Sequence, residues 1–255
     1  MLRYEVVGPR AVITIDDPEH HNAMSNETMA ALADAAQTAG ADDSVRVLVL
    51  TGAGDKAFSA GGDLKEGFMD DAAATHRDRG ALARLIRSLR DCGKPTIARV
   101  NGHALGGGFG LAAACDIVIA ADHAILGTPE VRVGLWPMMI SAVLQPLVPQ
   151  KALFEMMATG RRISANEAMQ LGVVSRVVPA AALDAAVDET VAALLAYSPA
   201  TLALGKEAFY AVADMDIDTA LDYLQVGLTA LGMTEDAKEG IAAFMEKRDP
   251  KWTGH

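Results

Sequence analysis

Cysteine is scarce, at two in 255 residues. Cys92 and Cys115 make neither a CxxC pair nor a disulfide ladder, which excludes a disulfide-stapled secreted scaffold and makes the reducing cytoplasm the expected compartment. The opening MLRYEVVGPR has no apolar segment behind a basic flank, so no secretory leader is expected. Positive charge is in the minority: 22 Lys and Arg against 33 Asp and Glu leave a formal charge of −11. That field repels polyanions and argues against nucleic acid or an anionic lipid surface as a partner, although a small anion can still bind in a local basic pocket. Long apolar runs are missing too. The longest, residues 104–115, is interrupted by glycine and ends at Asp116, short of the roughly 20 residues that cross a bilayer, so no membrane association is expected.

Several catalytic signatures are absent as well. There is no GxSxG elbow, HExxH or Walker loop, and the glycines at 106–110 fail the GxGxxG fingerprint, which would need glycine at Leu111. No nucleotide cofactor is expected. The six histidines are scattered and His20-His21 are adjacent, so their side chains point apart and no metal site is expected.

What is present is a chain 51% apolar and long enough to bury roughly 70–75% of its unfolded surface in one core without staples. Residues 4–7 and 11–15 read as a hairpin across Gly8-Pro9. Ser25 is a candidate cap for a helix that Gly40 would stop, and 45–50 (VRVLVL) reads as a buried strand of a parallel sheet. An amphipathic helix over 77–91 presents Leu82, Leu85, Ile86 and Leu89 on one face; strands at 96–100 and 117–120 follow. This alternation predicts an α/β fold with mainly parallel pairing. After Pro137 the chain reads as mostly helical, with one short strand-like piece at 173–178 and a capping box at Ser164–Glu167. Pro199, Gly205, Gly232 and Gly240 are expected to break the remainder into helices. The expected division is a core over 1–197 and a helical C-terminal region over 198–255.

Two of the glycine-rich stretches follow buried strands: Lys56-Ala-Phe-Ser-Ala-Gly-Gly62-Asp63-Leu64-Lys65, and Asn101-Gly-His-Ala-Leu-Gly-Gly107-Gly-Phe-Gly110, which runs into a helix. Glycine lets the backbone approach a ligand within hydrogen-bonding distance, and a helix start offers free N–H groups. Two such turns can form an oxyanion hole; the competing reading is that they serve only tight turns and close packing. The third signal is Gly127-Thr-Pro129-Glu130-Val-Arg-Val-Gly134-Leu-Trp-Pro137. With these three, and with NAM after the hairpin, AACDIVIAA, TGRRISANEAMQLGVVSRVVP and EGIAAFMEKR, almost the whole chain resembles the crotonase superfamily of enoyl-CoA hydratases and isomerases.

The resemblance implies a ββα superhelix core, a C-terminal helical region used in oligomerisation and as an active-site cover, and an acyl-CoA substrate with no separate cofactor. It implies an oxyanion hole from the N–H groups of Gly62 and Gly107, with Glu130 as the general acid/base. Ala60, Gly62, Asp63, Leu64, Lys65 and Gly107 match the CoA-binding part. Lys56, Lys65 and a neighbouring subunit's Lys247 are candidate phosphate partners, against the alternative that each is a solvated surface charge. A homotrimer or a dimer of trimers is the implied assembly.

The chain departs from a hydratase pattern in two places. Family hydratases carry two glutamates, but the first position, three residues after Gly107, is Gly110. Trp136, Met138 and Met139 stand where small residues are usual, and are expected to tighten the pocket unless the methionines are core packing. Hydration needs water deprotonated and the α carbon protonated; one carboxylate is enough to move a proton from the α to the γ carbon. Double-bond isomerisation or a related α-proton transfer is therefore the favoured reaction. The alternatives are 2-enoyl-CoA hydration, with Glu66 or Asp71 as the other source of a second acid, and a non-catalytic acyl-CoA-binding protein. For Glu130 the competing role is a helix cap or an ion pair with Arg132.

Overall fold

The computed structural model describes residues 1–63 and 72–255, with the side chains of 72–75 and 77–79 outside the description as well. The N-terminal hairpin is β1 (Leu2–Val7) against β2 (Arg10–Ile15), antiparallel with Leu2 opposite Ile15. Ser25 caps α1 (Asn26–Ala41), its hydroxyl accepting from the Thr28 N–H at 3.0 Å. The chain then repeats a two-strand unit: β3 (Val47–Gly52) and β4 (Ala57–Ser59), β5 (Thr96–Val100) and β6 (His103–Leu105), β7 (Ile117–Ala121) and β8 (Ile125–Gly127). Helix α2 (Ala72–Asp91) precedes the second unit and α3 (Gly107–Ala113) follows it.

First strands and second strands of these units fall into separate sheets. The large sheet has the order β1-β2-β3-β5-β7-β10, with β10 at Arg176–Val178, and is parallel beyond the hairpin. The small sheet runs β4-β6-β8-β9, with β9 at Arg162–Ser164 antiparallel to β8. This is a ββα superhelix, and its period-2 alternation shows why β3 is apolar throughout. Leu48 and Leu50 enter the main core with Ile13, Ala98, Phe58 and Leu85, whereas Val47 and Val49 face a second cluster with Ile97, Ile119 and α7 (Leu183–Leu195).

Several sequence-based boundaries are corrected. Helix α1 runs through Gly40; a Cβ there would lie 2.7 Å from the Cys92 carbonyl oxygen, so this glycine serves a close crossing rather than a stop. The second half contains two short strands, not one: β9 is three residues long and is held by pairing with β8. Glycines 205, 232 and 240 lie inside α8 (Pro199–Ala211), α9 (Ile217–Met233) and α10 (Glu235–Glu246). Side-chain caps at Ser198, Asp216 and Thr234 mark where those helices begin. Ser164 caps α6 (Ala165–Gln170) through the Glu167 N–H, but the Glu167 carboxylate turns to Arg161 at 2.7 Å, so only half of the expected capping box forms.

One buried polar centre ties the C-terminal helices to the core, and another ties those helices and the tail to one another. Lys206 of α8 donates to the Leu89 and Lys94 carbonyls and to Asp116 at 2.7, 2.9 and 2.8 Å, and Tyr210 donates to the same carboxylate at 2.7 Å. Asp236 of α10 is fully buried and accepts from Ser198, Thr253 and the Gly254 N–H, which clasps the C-terminal tail back onto the start of α8.

Candidate active site

Two asparagines frame the first glycine turn. Asn22, fully buried in the left-handed region at φ 57°, donates to the Ala53 and Ala57 carbonyls. Asn101 donates to the Gly54 and Ala57 carbonyls from the other side. Ser59 then accepts from the Gly61 N–H and donates to the Asn22 carbonyl, while the Met24 N–H donates to the Gly61 carbonyl and the Asp63 N–H to the Met24 carbonyl. These bonds engage the amides on either side of Gly62. Among the described residues, the Gly62 N–H itself donates to no other backbone group.

The second turn lies directly against the first. A Cβ on Gly61 would stand 2.8 Å from the Leu105 carbonyl oxygen and 3.0 Å from the Gly107 nitrogen, and one on Gly108 would stand 2.3 Å from the Ser59 carbonyl oxygen. Glycine at both positions is a steric requirement of this approach. The position of a Cβ on Gly107 is in turn 3.5 Å from the Gly62 nitrogen, so the two turns present adjacent amides. Gly107 opens α3, where the first N–H groups have no partner within the helix.

Glu130 sits in a 3-10 turn, Pro129–Val133, that follows β8. Its carboxyl faces Gly106: a Cβ there would be 3.1 Å from Glu130 Oε1, and Gly106 has φ +53°, so this residue is glycine for two independent reasons. Burial raises the Glu130 carboxyl above its ordinary value, with its own backbone N–H opposing the shift. Glu130 Oε2 is buried without a hydrogen-bond partner among the described residues. No cation pairs with it there, so the ion pair with Arg132 is not formed and Arg132 is exposed. A carboxyl raised by burial and held against the second turn can move a proton next to a carbonyl whose oxygen backbone amides hold.

The three residues expected to shape the pocket are not part of the chain's core. Met138 is 71% exposed, and Trp136 and Met139 are each about one-third exposed; Trp136 stacks at a tilt on Phe154 with centroids 5.9 Å apart. The side chain that meets Gly110 belongs to Ile140, in α4 (Met138–Leu144): a Cβ on Gly110 would lie 2.1 Å from Ile140 Cγ2. Thr128 was missed; it is fully buried two residues before Glu130, and its hydroxyl has no partner among the described residues.

The remaining expected contacts are spread out. Ala60 is exposed at the rim of the first turn, where its N–H donates to the His21 carbonyl. Asp63 is half-buried beside Gly62. Lys56 is exposed, and its carbonyl accepts from the His103 N–H at the base of both turns. Lys247 is exposed at the end of α10, in the left-handed region at φ 56°. Leu64 and Lys65, like Glu66 and Asp71, lie outside the described residues.

The fold that carries these turns is shared with known enzymes. Residues 9–255 match the family model described as enoyl-CoA hydratase/isomerase. The chain is 40% identical to a carnitinyl-CoA dehydratase of Salmonella arizonae over 100% of its own length and 98% of the relative's. Among solved structures, an enoyl-CoA hydratase of Mycobacterium smegmatis superposes with a TM-score of 0.95 at 34% identity, covering 98% of each chain. One from Bacillus anthracis superposes at 0.94 and 31% identity, covering 100% of this chain and 99% of that one. The chain belongs to the enoyl-CoA hydratase/isomerase family, the crotonase superfamily, and is an enzyme of that isomerase/hydratase type.

Proposed function

We propose that the enzyme binds an acyl-CoA thioester, holds its carbonyl oxygen with the N–H groups of Gly62 and Gly107, and uses Glu130 alone to shift a proton along the acyl chain. The observation that carries this reading is the buried Glu130 Oε2 without a partner, beside Gly106, together with the absence of a side chain at Gly110. Removing the α proton of a 3-enoyl thioester puts negative charge on the carbonyl oxygen, where preorganised donors are worth about 10²–10³ in rate each. Glu130 then returns that proton at the γ carbon, and the double bond has moved from the 3,4 to the 2,3 position. Ala60, Asp63 and Lys56 line the approach for CoA in this reading, with Lys65 of the same chain and Lys247 of a neighbouring subunit as further phosphate partners. Helices α8–α10 supply the oligomer contacts.

The test is conversion of a 3-enoyl-CoA in water enriched in the heavy oxygen isotope. Product free of solvent oxygen, with conversion abolished in Glu130→Gln, is the expected result; unchanged turnover in that variant overturns the assignment. The second reading, 2-enoyl-CoA hydration or its reverse, is favoured by the 40% identity to a dehydratase. It predicts that the conjugated enoyl-thioester absorbance of crotonyl-CoA falls when the enzyme is added.

A further inference from the structure

Positions 107 and 110 lie on one side of α3, three residues apart, so a side chain at 110 would project from the same face that Gly107 occupies, about one turn further on. That direction is closed by another element. Ile140 stands in the first turn of α4, 2% exposed, with Cγ2 2.1 Å and Cβ 2.5 Å from where a Cβ on Gly110 would be, and its Cα at 3.4 Å. At such distances the far end of a flexible side chain could swing aside. A β-branched side chain in a helix cannot, because one χ1 well dominates, and a close-packed core offers it no second place. The bare position on α3 and the branched residue on α4 are therefore complementary halves of one contact.

We propose that Ile140 is a specificity-determining residue: its side chain fills the volume in which a second acid, or a water held by that acid, would stand, and so confines proton transfer to Glu130. This rests on the single-carboxylate reading above. Hydration forms a C–O bond at the β carbon, hands one water proton to a base and adds a proton at the α carbon, so it needs a polar site for water. Outside α3, the three heavy atoms nearest that position are all carbons of Ile140, and an apolar site gives a water none of the two to four partners it requires. Isomerisation breaks the α C–H bond, carries that proton on Glu130 and forms the γ C–H bond. It consumes no water.

The test exchanges the two residues, Gly110→Glu with Ile140→Gly, in the full-length protein. Crotonyl-CoA is followed by loss of its conjugated absorbance and 3-enoyl-CoA by its gain. The exchange is expected to raise hydration about 10²-fold over wild type, the low end of what a positioned acid/base supplies. Each single variant should show no gain: Gly110→Glu because Ile140 still fills the space, Ile140→Gly because the space then holds no acid. Should the full exchange fail to fold, the smaller pair Gly110→Asp with Ile140→Ala makes the same comparison, with circular dichroism as the check on folding. Gly110→Glu alone hydrating as fast as the exchange overturns the role of Ile140, and so does a folded exchange variant that keeps isomerisation without gaining hydration. The wild-type assays judge the isomerase reading separately. A wild type that converts no 3-enoyl-CoA sinks that reading, while a folded exchange variant that hydrates no faster than wild type and the single variants still overturns the role of Ile140.

Discussion

A carboxyl with one oxygen buried and unbonded is a poor contributor to stability, and Glu130 is such a group among the described residues. Its folded-state pKa is raised by burial, so its favourable contribution to folding is present below the unfolded value of about 4.3 and is lost as pH rises through the folded one. Above that pH the ionised form is the less favourable one in the folded chain. Glu130→Gln should therefore melt higher than wild type at pH 7, by about 2–4 °C if about 1 kcal/mol is recovered in a chain of this size. The gain should shrink toward zero as pH falls below the unfolded value. Thermal scans of both proteins across the acid range check this; a difference that does not change with pH would mean the carboxylate is not desolvated. The same shift moves the acid limb of kcat/KM to higher pH than an unshifted glutamate would give, since the base form is lost earlier on acidification. At this scale the site was legible where backbone geometry dictates the residue type. A Cβ on Gly108 has no room and one on Gly106 would be strained by its positive φ, and the turns that hold Gly62 and Gly107 stand out in the sequence for that reason. Ile140 was not legible, because nothing local marks a residue whose importance is the missing side chain on another helix.

Elements were read well where periodicity spans a whole turn or strand, as in α1, the hairpin and β5, and poorly where long-range contacts decide. Gly40, Gly205, Gly232 and Gly240 were read as breaks and all lie within helices, since packing overrides a propensity difference of about 1 kcal/mol. Strand β9 exists by pairing with β8, which three residues of sequence cannot announce. The attachment of α8 to the core was invisible for the same reason: Lys206 is a lone lysine in a helix sequence, yet its side chain is 6% exposed and meets Asp116 at 2.8 Å. Removing one member of a buried pair leaves the other charge uncompensated, which costs about 3–5 kcal/mol. Lys206→Ala should show a loss of that order in urea denaturation. Asp116 keeps its bonds from Thr96 and Tyr210, which holds the loss near the lower figure. A variant as stable as wild type would mean the pair does not anchor α8.

At the scale of the whole molecule, the C-terminal helices leave a large apolar surface uncovered. Phe209, Leu221, Leu224, Val226, Leu228, Ile241 and Phe244 are all exposed in the single chain, Phe244 to 82%. Isolated exposed apolar residues are ordinary, but this many on three adjoining helices exceed what a monomer usually shows to water. Three copies related by a closed rotation would cover them without leaving an open end, as a homotrimer or a dimer of trimers does. Charge sets a condition on such an assembly. Each chain carries −11, so copies repel at long range, and the contact must be apolar and close enough to overcome that repulsion. CoA, itself anionic, meets the same field and needs local lysines, one of them the proposed Lys247 of a neighbour. Sedimentation velocity at micromolar concentration should accordingly give a trimer or hexamer of the 26.7 kDa chain. Leu228→Glu combined with Phe244→Glu should shift the species to smaller mass with helical content retained, and lower the melting temperature in a concentration-dependent way. If Lys247 acts across the interface, dissociation should raise KM for the CoA substrate more than it lowers kcat, because Glu130, Gly62 and Gly107 all belong to one chain. A wild type that sediments as a monomer would remove both the assembly and any role for a neighbour's lysine.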